Sequence, residues 1–104
     1  MKHIVITGTS RGIGFELAQQ FANQGHQVLA LSRNTKPLEL VNHKNITTIS
    51  VDLSSEKDLL KAVDFIKSNW NKVDILINNA GKLITPARRG LDMVRLAPSR
   101  ASSW

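Results

Sequence analysis

The sequence predicts an α/β fold: half of a doubly wound parallel sheet, with strand order 3-2-1-4. Three observations lead there. Four short apolar or β-branched runs recur through the first 80 residues. Amphipathic helical patterns join the first run to the second and the third to the fourth. A glycine turn, Gly8-x-x-x-Gly12-x-Gly14, links the first run to the first helical pattern. Strands alternating with helices pair in parallel through right-handed crossovers, and they read as continuously apolar when helices cover both faces.

Taken in order, residues 3–7 are a buried strand stopped by Gly8. From Gly12, Ile13, Leu17, Ala18, Phe21 and Ala22 fall at helical spacing, and Gly25 can end that helix in the left-handed conformation. Residues 28–31 are the second strand, ending at Ser32-Arg33-Asn34. Pro37 breaks the chain next, so 35–45 is a loop with room for one helical turn. Residues 46–51 are a third strand rich in β-branched side chains. Residues 52–55 form a turn and cap, with Ser55 and Asp58 spaced as a capping box that uses Asp for Glu. The following helix runs to about Trp70, with Leu59, Ala62, Val63, Ile66 and Trp70 on one face. Residues 74–78 are the fourth strand, and 79–81 the turn beyond it.

Composition narrows the function classes. The 104 residues are 41% apolar and 21% charged, which suits one small globular domain. The absence of cysteine excludes disulfides, thiolate chemistry and Cys-based metal sites. The apolar run after Met1-Lys2-His3 is too short for a signal peptide or membrane span, so the expectation is a cytoplasmic protein without a membrane partner. The net charge is +6, but residues 1–81 hold nine Lys and Arg against seven Asp and Glu, whereas 82–104 hold five against one. Basicity thus resides in the tail and gives no case for nucleic-acid binding. The three histidines lack an acid partner or metal-ligand spacing.

The chemistry concentrates at Thr7-Gly8-Thr9-Ser10-Arg11-Gly12-Ile13-Gly14. Gly8 allows a sharp turn off the strand, Gly12 a close backbone approach to pyrophosphate, and Gly14 tight packing of helix on sheet. A helix N-terminus with unpaired N–H groups is a natural phosphate site. The stretch resembles the cofactor signature of the short-chain dehydrogenase/reductase family. Asn78-Asn79-Ala80-Gly81 resembles that family's second signature, and Asp52-Leu53 matches as well. The resemblance covers residues 1 to about 81, and it implies a Rossmann-type cofactor-binding unit over 1–84.

On the resemblance, main-chain groups of Thr9, Ser10, Arg11, Gly12 and Ile13 would line the phosphates and adjoining ribose of a dinucleotide cofactor. Asp52 would accept from the adenine amino group, with Leu53 beside it; a plain turn residue is the alternative. Asn79, Ala80 and Gly81 would pass along the ribose side. Asn78 would tie strands together through its amide. NAD-selecting sites place an acid about 20 residues past the glycine turn. Here that place holds Ser32-Arg33, with Arg11 in the same corner. Arginine pairs with a 2′-phosphate that a carboxylate would repel, so NADP(H) is expected over NAD(H).

The family's proton transfer uses a tyrosine, a lysine four residues later and an upstream serine. This sequence contains no tyrosine. The expectation is an oxidoreductase whose cofactor portion is present here without its catalytic segment, so that the chain alone is inactive. The alternatives are a non-catalytic NADP(H)-binding module and a nonfunctional truncated product. Residues 85–104 contain no Lys, Asn or Ile and are rich in Arg, Ala, Ser and Pro. This tail is either an out-of-frame or fused segment or an ordinary variable end. The fourth strand would lie at the sheet edge, where Ile75 and Ile77 lose covering helices, inviting self-association.

Overall fold

In the computed structural model, which describes residues 1–79, four parallel strands form one sheet in the order β3-β2-β1-β4. The strands are β1 (His3–Thr7), β2 (Gln27–Ser32), β3 (Ile46–Ser50) and β4 (Ile75–Asn78). The helices are α1 (Gly12–Asn23), α2 (Lys36–Val41) and α3 (Glu56–Phe65), the last continued by a π-helical turn over Ile66–Trp70. The expected fold class and strand order are observed.

Strand side chains alternate between two faces, and the two faces carry separate cores. Ile4, Ile6, Val28 and Ala30 pack with Ala18 and Ala22 of α1 and Leu38 of α2. Val5, Leu29, Leu31 and Leu76 pack with Leu59, Ala62 and Val63 of α3. The central strands are therefore apolar on both sides. Each large aliphatic side chain buried this way contributes about 2 kcal/mol through removal from water. β3, at one edge, departs from the expectation of uniformly buried strands, because its residues are half-buried and Ser50 is exposed. At the opposite edge, Ile75 and Ile77 are half-buried against the α1-side core, while Leu76 is buried.

Local chemistry sets the element ends. Gly25 takes φ +93 just past α1. The helical turn allowed for within 35–45 is observed as α2, and Pro37 is part of it. It falls in the first turn of α2, where a missing N–H costs nothing, and Asn42 in the left-handed region ends the helix after six residues. The capping box is only half formed. Ser55 Oγ accepts from Asp58 N, but Ser55 N is already taken by the Asp52 carbonyl. The Asp58 carboxylate accepts instead from Asp52 N, at 3.0 Å. The helical run does reach Trp70, but its last five residues widen to π geometry and end with Asn71 N donating to Ile66 O. That turn sets the Trp70 ring edge-on against Phe65 and His3.

Candidate functional site

Because all strands run parallel, the C-terminal ends of β1, β2, β3 and β4 lie along one edge of the sheet, where such folds place ligands. The turn after β1 is anchored to the end of β2. Gly8 N and the buried Thr9 hydroxyl both donate to Leu31 O, at 2.9 and 3.4 Å. Gly12 has φ +66, and apart from its chain neighbours and its own helix no atom of the described residues lies within 4 Å of the place a Cβ would occupy, so its backbone is bare among them. At Gly14 a Cβ would sit 2.3 Å from Gly8 O and 2.7 Å from Asn79 Nδ2. The start of α1 thus packs directly on the glycine turn. Arg11 holds the N-cap position without a side-chain cap, and the first helical turn carries no acid. The positive end of the α1 dipole therefore keeps its charge.

Beside this turn lies a cleft of about 450 Å³. Gly8 and Ser10 form one part of its wall, Ser32, Arg33 and Asn34 another, and Asp52, Leu53 and Ser54 a third. The Asp52 carboxylate is held by Ser54, whose hydroxyl and main-chain N–H both donate to Oδ1, at 2.6 and 2.9 Å. Those bonds, hydroxyl first, hold the Asp52 carboxyl below its ordinary pKa, and the Arg33 guanidinium adds to the effect. Asp52 therefore stays a pure acceptor at neutral pH. Asp58 is held low as well, chiefly by the Asp52 N–H that it accepts.

Of the expected site residues, Gly8, Ser10, Ser32, Arg33, Asp52 and Leu53 come together on the cleft wall. Thr9, Arg11, Gly12, Ile13, Gly14 and Asn79 lie outside that wall in the turn, the start of α1 and the end of β4. Ile13 is 69% exposed at the start of α1. Asn79 donates from Nδ2 to Gly8 O, bracing the glycine turn from β4. Ala80 and Gly81 lie outside the described residues, as do the end of the 1–84 unit and the whole of 85–104. Asn78 is buried, and its Oδ1 accepts from Thr7 Oγ1 at 2.9 Å, tying β4 to β1. The Ser32 hydroxyl is turned to Asn34 O. Asn34 and Ser54 are additions to the expected set. Their sequence signal was available: Asn34 stands two residues before the N–H of Lys36 that it caps, and Ser54 two residues after Asp52.

The histidines serve loops and packing, but the expectation that none has an acid partner fails for His3, whose Nδ1 lies 3.6 Å from the Asp74 carboxylate because β1 and β4 are neighbours. His26 Nδ1 accepts from Lys2 N, and His43 bonds Asn23 and Asn45. Among the described residues no cluster of three His, Asp or Glu could hold a metal ion, and no helix is long and apolar enough to cross a membrane.

An open sheet edge, a bare glycine turn at a helix N-terminus and an adjoining polar cleft define a nucleotide-binding α/β unit. Comparison with known proteins makes this specific. The family model for short chain dehydrogenase matches residues 2–95. Salutaridine reductase of Papaver bracteatum is 37% identical over 89 residues, which span 78% of this chain and 29% of that protein. The 3-oxoacyl-[acyl-carrier-protein] reductase of Buchnera aphidicola is 36% identical over 84 residues, 77% and 34% of the two chains. A metagenomic short-chain oxidoreductase solved in complex with NADP superposes with TM-score 0.66 at 28% identity, covering 78% of this chain and 39% of that one. The chain belongs to the short-chain dehydrogenase/reductase family of NAD(P)-dependent oxidoreductases. It spans about a third of the length of the curated relatives it matches.

Proposed function

We propose that this chain supplies the cofactor-binding part of an NADP(H)-dependent oxidoreductase acting between an alcohol and a carbonyl. One observation carries the reading: the cleft beside the bare glycine turn has Ser32, Arg33 and Asn34, and no acid, at the end of β2. A carboxylate there would suit two ribose hydroxyls, whereas a guanidinium suits a 2′-phosphate. The metagenomic relative solved with NADP supports the same choice.

In this reading the turn from Gly8 to Ile13 donates main-chain N–H groups to the pyrophosphate and adjoining ribose. Gly12 admits the phosphates because nothing projects from it, and Gly14 holds α1 close enough for its dipole to act. Arg33 pairs with the 2′-phosphate, with Arg11 as the second candidate cation; Ser32 reaches it by turning its hydroxyl from Asn34. Asp52 accepts from the adenine amino group beside Leu53, and Asn79, Ala80 and Gly81 border the ribose on the nicotinamide side. The bound cofactor would supply the hydride donor or acceptor. Proton transfer is assigned to no residue here, since the sequence holds no tyrosine. The same absence favours nucleotide binding without turnover for the chain taken alone. The binding unit of this proposal is residues 1–84.

Calorimetric titration of the 104-residue chain with NADPH and NADH tests the reading. NADPH should bind at least about tenfold more tightly, and Arg33→Asp should abolish that preference, as expected for loss of a charge-assisted pair. Equal affinities in the parent, unchanged by Arg33→Asp, would overturn it.

A further inference from the structure

We propose that Ser50, a β3 residue outside the cleft, is a positioning residue that aims Arg33 at a ligand phosphate. The argument rests on three consecutive peptide planes at the end of β2. The Ser32 carbonyl accepts from Val51 N at 2.9 Å, the last rung between β2 and β3. The Arg33 carbonyl accepts from Ser50 Oγ at 3.1 Å. The Asn34 carbonyl accepts from Ser32 Oγ at 2.9 Å, and the Asn34 side chain in turn caps Lys36 N. The Arg33 Cα lies between the first two planes. Its direction is therefore set by one main-chain donor and one side-chain donor, and Ser50 is the side-chain donor.

Ser50 and Arg33 are both exposed, so their hydrogen bond adds little to stability. Its effect falls on orientation. A long exposed arginine loses rotamer freedom when it grips a phosphate, and a fixed main chain reduces what remains to be ordered. Asp52, also on the cleft wall and already attracted by Arg33, is the competing partner once that plane can tilt. The register Ser32↔Ser50 is what brings a β3 hydroxyl opposite the carbonyl that follows β2. The ligand chemistry is a ribose 2′-phosphate monoester, and the inference rests on the NADP(H) reading above.

The test is calorimetry on the 104-residue chain with adenosine 2′,5′-bisphosphate and with 5′-AMP, which lacks the 2′-phosphate. The parent should prefer the bisphosphate. Ser50→Ala should lower that preference about three- to tenfold, the range of one ordinary hydrogen bond. Ser50→Thr, which keeps the hydroxyl and suits a strand, should restore it. An equal loss of both ligands in Ser50→Ala, an unchanged ratio, or no rescue by threonine would overturn the role of Ser50. Those results leave the NADP(H) reading standing if Arg33→Ala still removes the preference. A parent chain that binds neither ligand, or an Arg33→Ala variant that keeps the full preference, would overturn both.

Discussion

The two ends of the sheet are built to opposite purposes. At the N-terminal edge, polar groups are paired with one another. Asp74 accepts from His3 N at 2.8 Å and faces Lys72 at 3.6 Å. Lys2 N donates to His26, Gln27 to Asn45, and Asn45 to the carbonyl of Ala22 near the end of α1. His3 Nδ1, 3.6 Å from Asp74, is buried between that carboxylate and the Trp70 ring without a hydrogen bond of its own. At the C-terminal edge, bonding within the chain goes into shaping the loops, and the surfaces they present are left bare. Among the described residues no side chain covers Gly12, Arg11 and Arg33 are exposed, and α1 starts without a side-chain cap. Closure at one end supplies the rigidity that openness at the other requires. A site of exposed donors keeps its shape only if stability is supplied elsewhere.

The contrast can be broken most severely at Gly14. A methyl there would collide with Gly8 O and Asn79 Nδ2. Gly14→Ala should destabilise the chain by about 2–3 kcal/mol, as forced overpacking does, and should also abolish nucleotide binding. Thermal melts followed by circular dichroism, with calorimetry alongside, check both. Gly12→Ala should separate the two properties. The left-handed backbone costs alanine about 1 kcal/mol, a small change in the melt. Yet the methyl would stand where the proposed reading puts the phosphate, so affinity for NADPH should fall more than tenfold. If Gly12→Ala binds as the parent does, the phosphate does not lie over that residue.

The smallest effect probes the closed end by pH. The Asp74 carboxyl is held below its ordinary pKa, mainly by the His3 N–H and then by Lys72 and Lys2. Asp52 and Asp58 are depressed too. A carboxylate with a lowered folded-state pKa stabilises the fold above its unfolded value. That contribution is lost as pH falls through the folded value. The melting temperature should therefore decline from about pH 4 downwards. Asp74→Asn should lower the melt at neutral pH and flatten that acid decline, while 5′-AMP affinity stays at the parent level. A decline as steep in the variant as in the parent would show that Asp74 carries none of it.

The sequence made the sheet and its open edge legible because those signals are local. Ile4-Val5-Ile6 stops at Gly8, and Leu59, Ala62, Val63 and Ile66 repeat at helical spacing. Where reading failed, it weighed a residue type without its position. Pro37 reads as a break in the chain, whereas it sits in the first turn of α2, and the Asp58 carboxylate found Asp52 N because Ser55 N was occupied. The π turn at Ile66–Trp70 leaves no periodic trace over five residues. The Ser50–Arg33 bond and the Asn79 brace on Gly8 depend on how neighbouring strands align, which no single segment specifies.

Among the described residues, three side-chain hydrogen bonds reinforce the backbone ladder between β1 with its turn and the region of β4: His3 to Asp74, Thr7 to Asn78, and Asn79 to Gly8. Each spans 71 positions of sequence. Contacts that distant must overcome the entropy of closing a long loop before they return any energy, so they are expected to form late in folding. One of them fixes the carbonyl on which the glycine turn rests. On this route the glycine turn, the proposed phosphate cradle, is braced only when β4 docks. A growing chain would then acquire its ligand affinity in one late step, with strand completion acting as the timer.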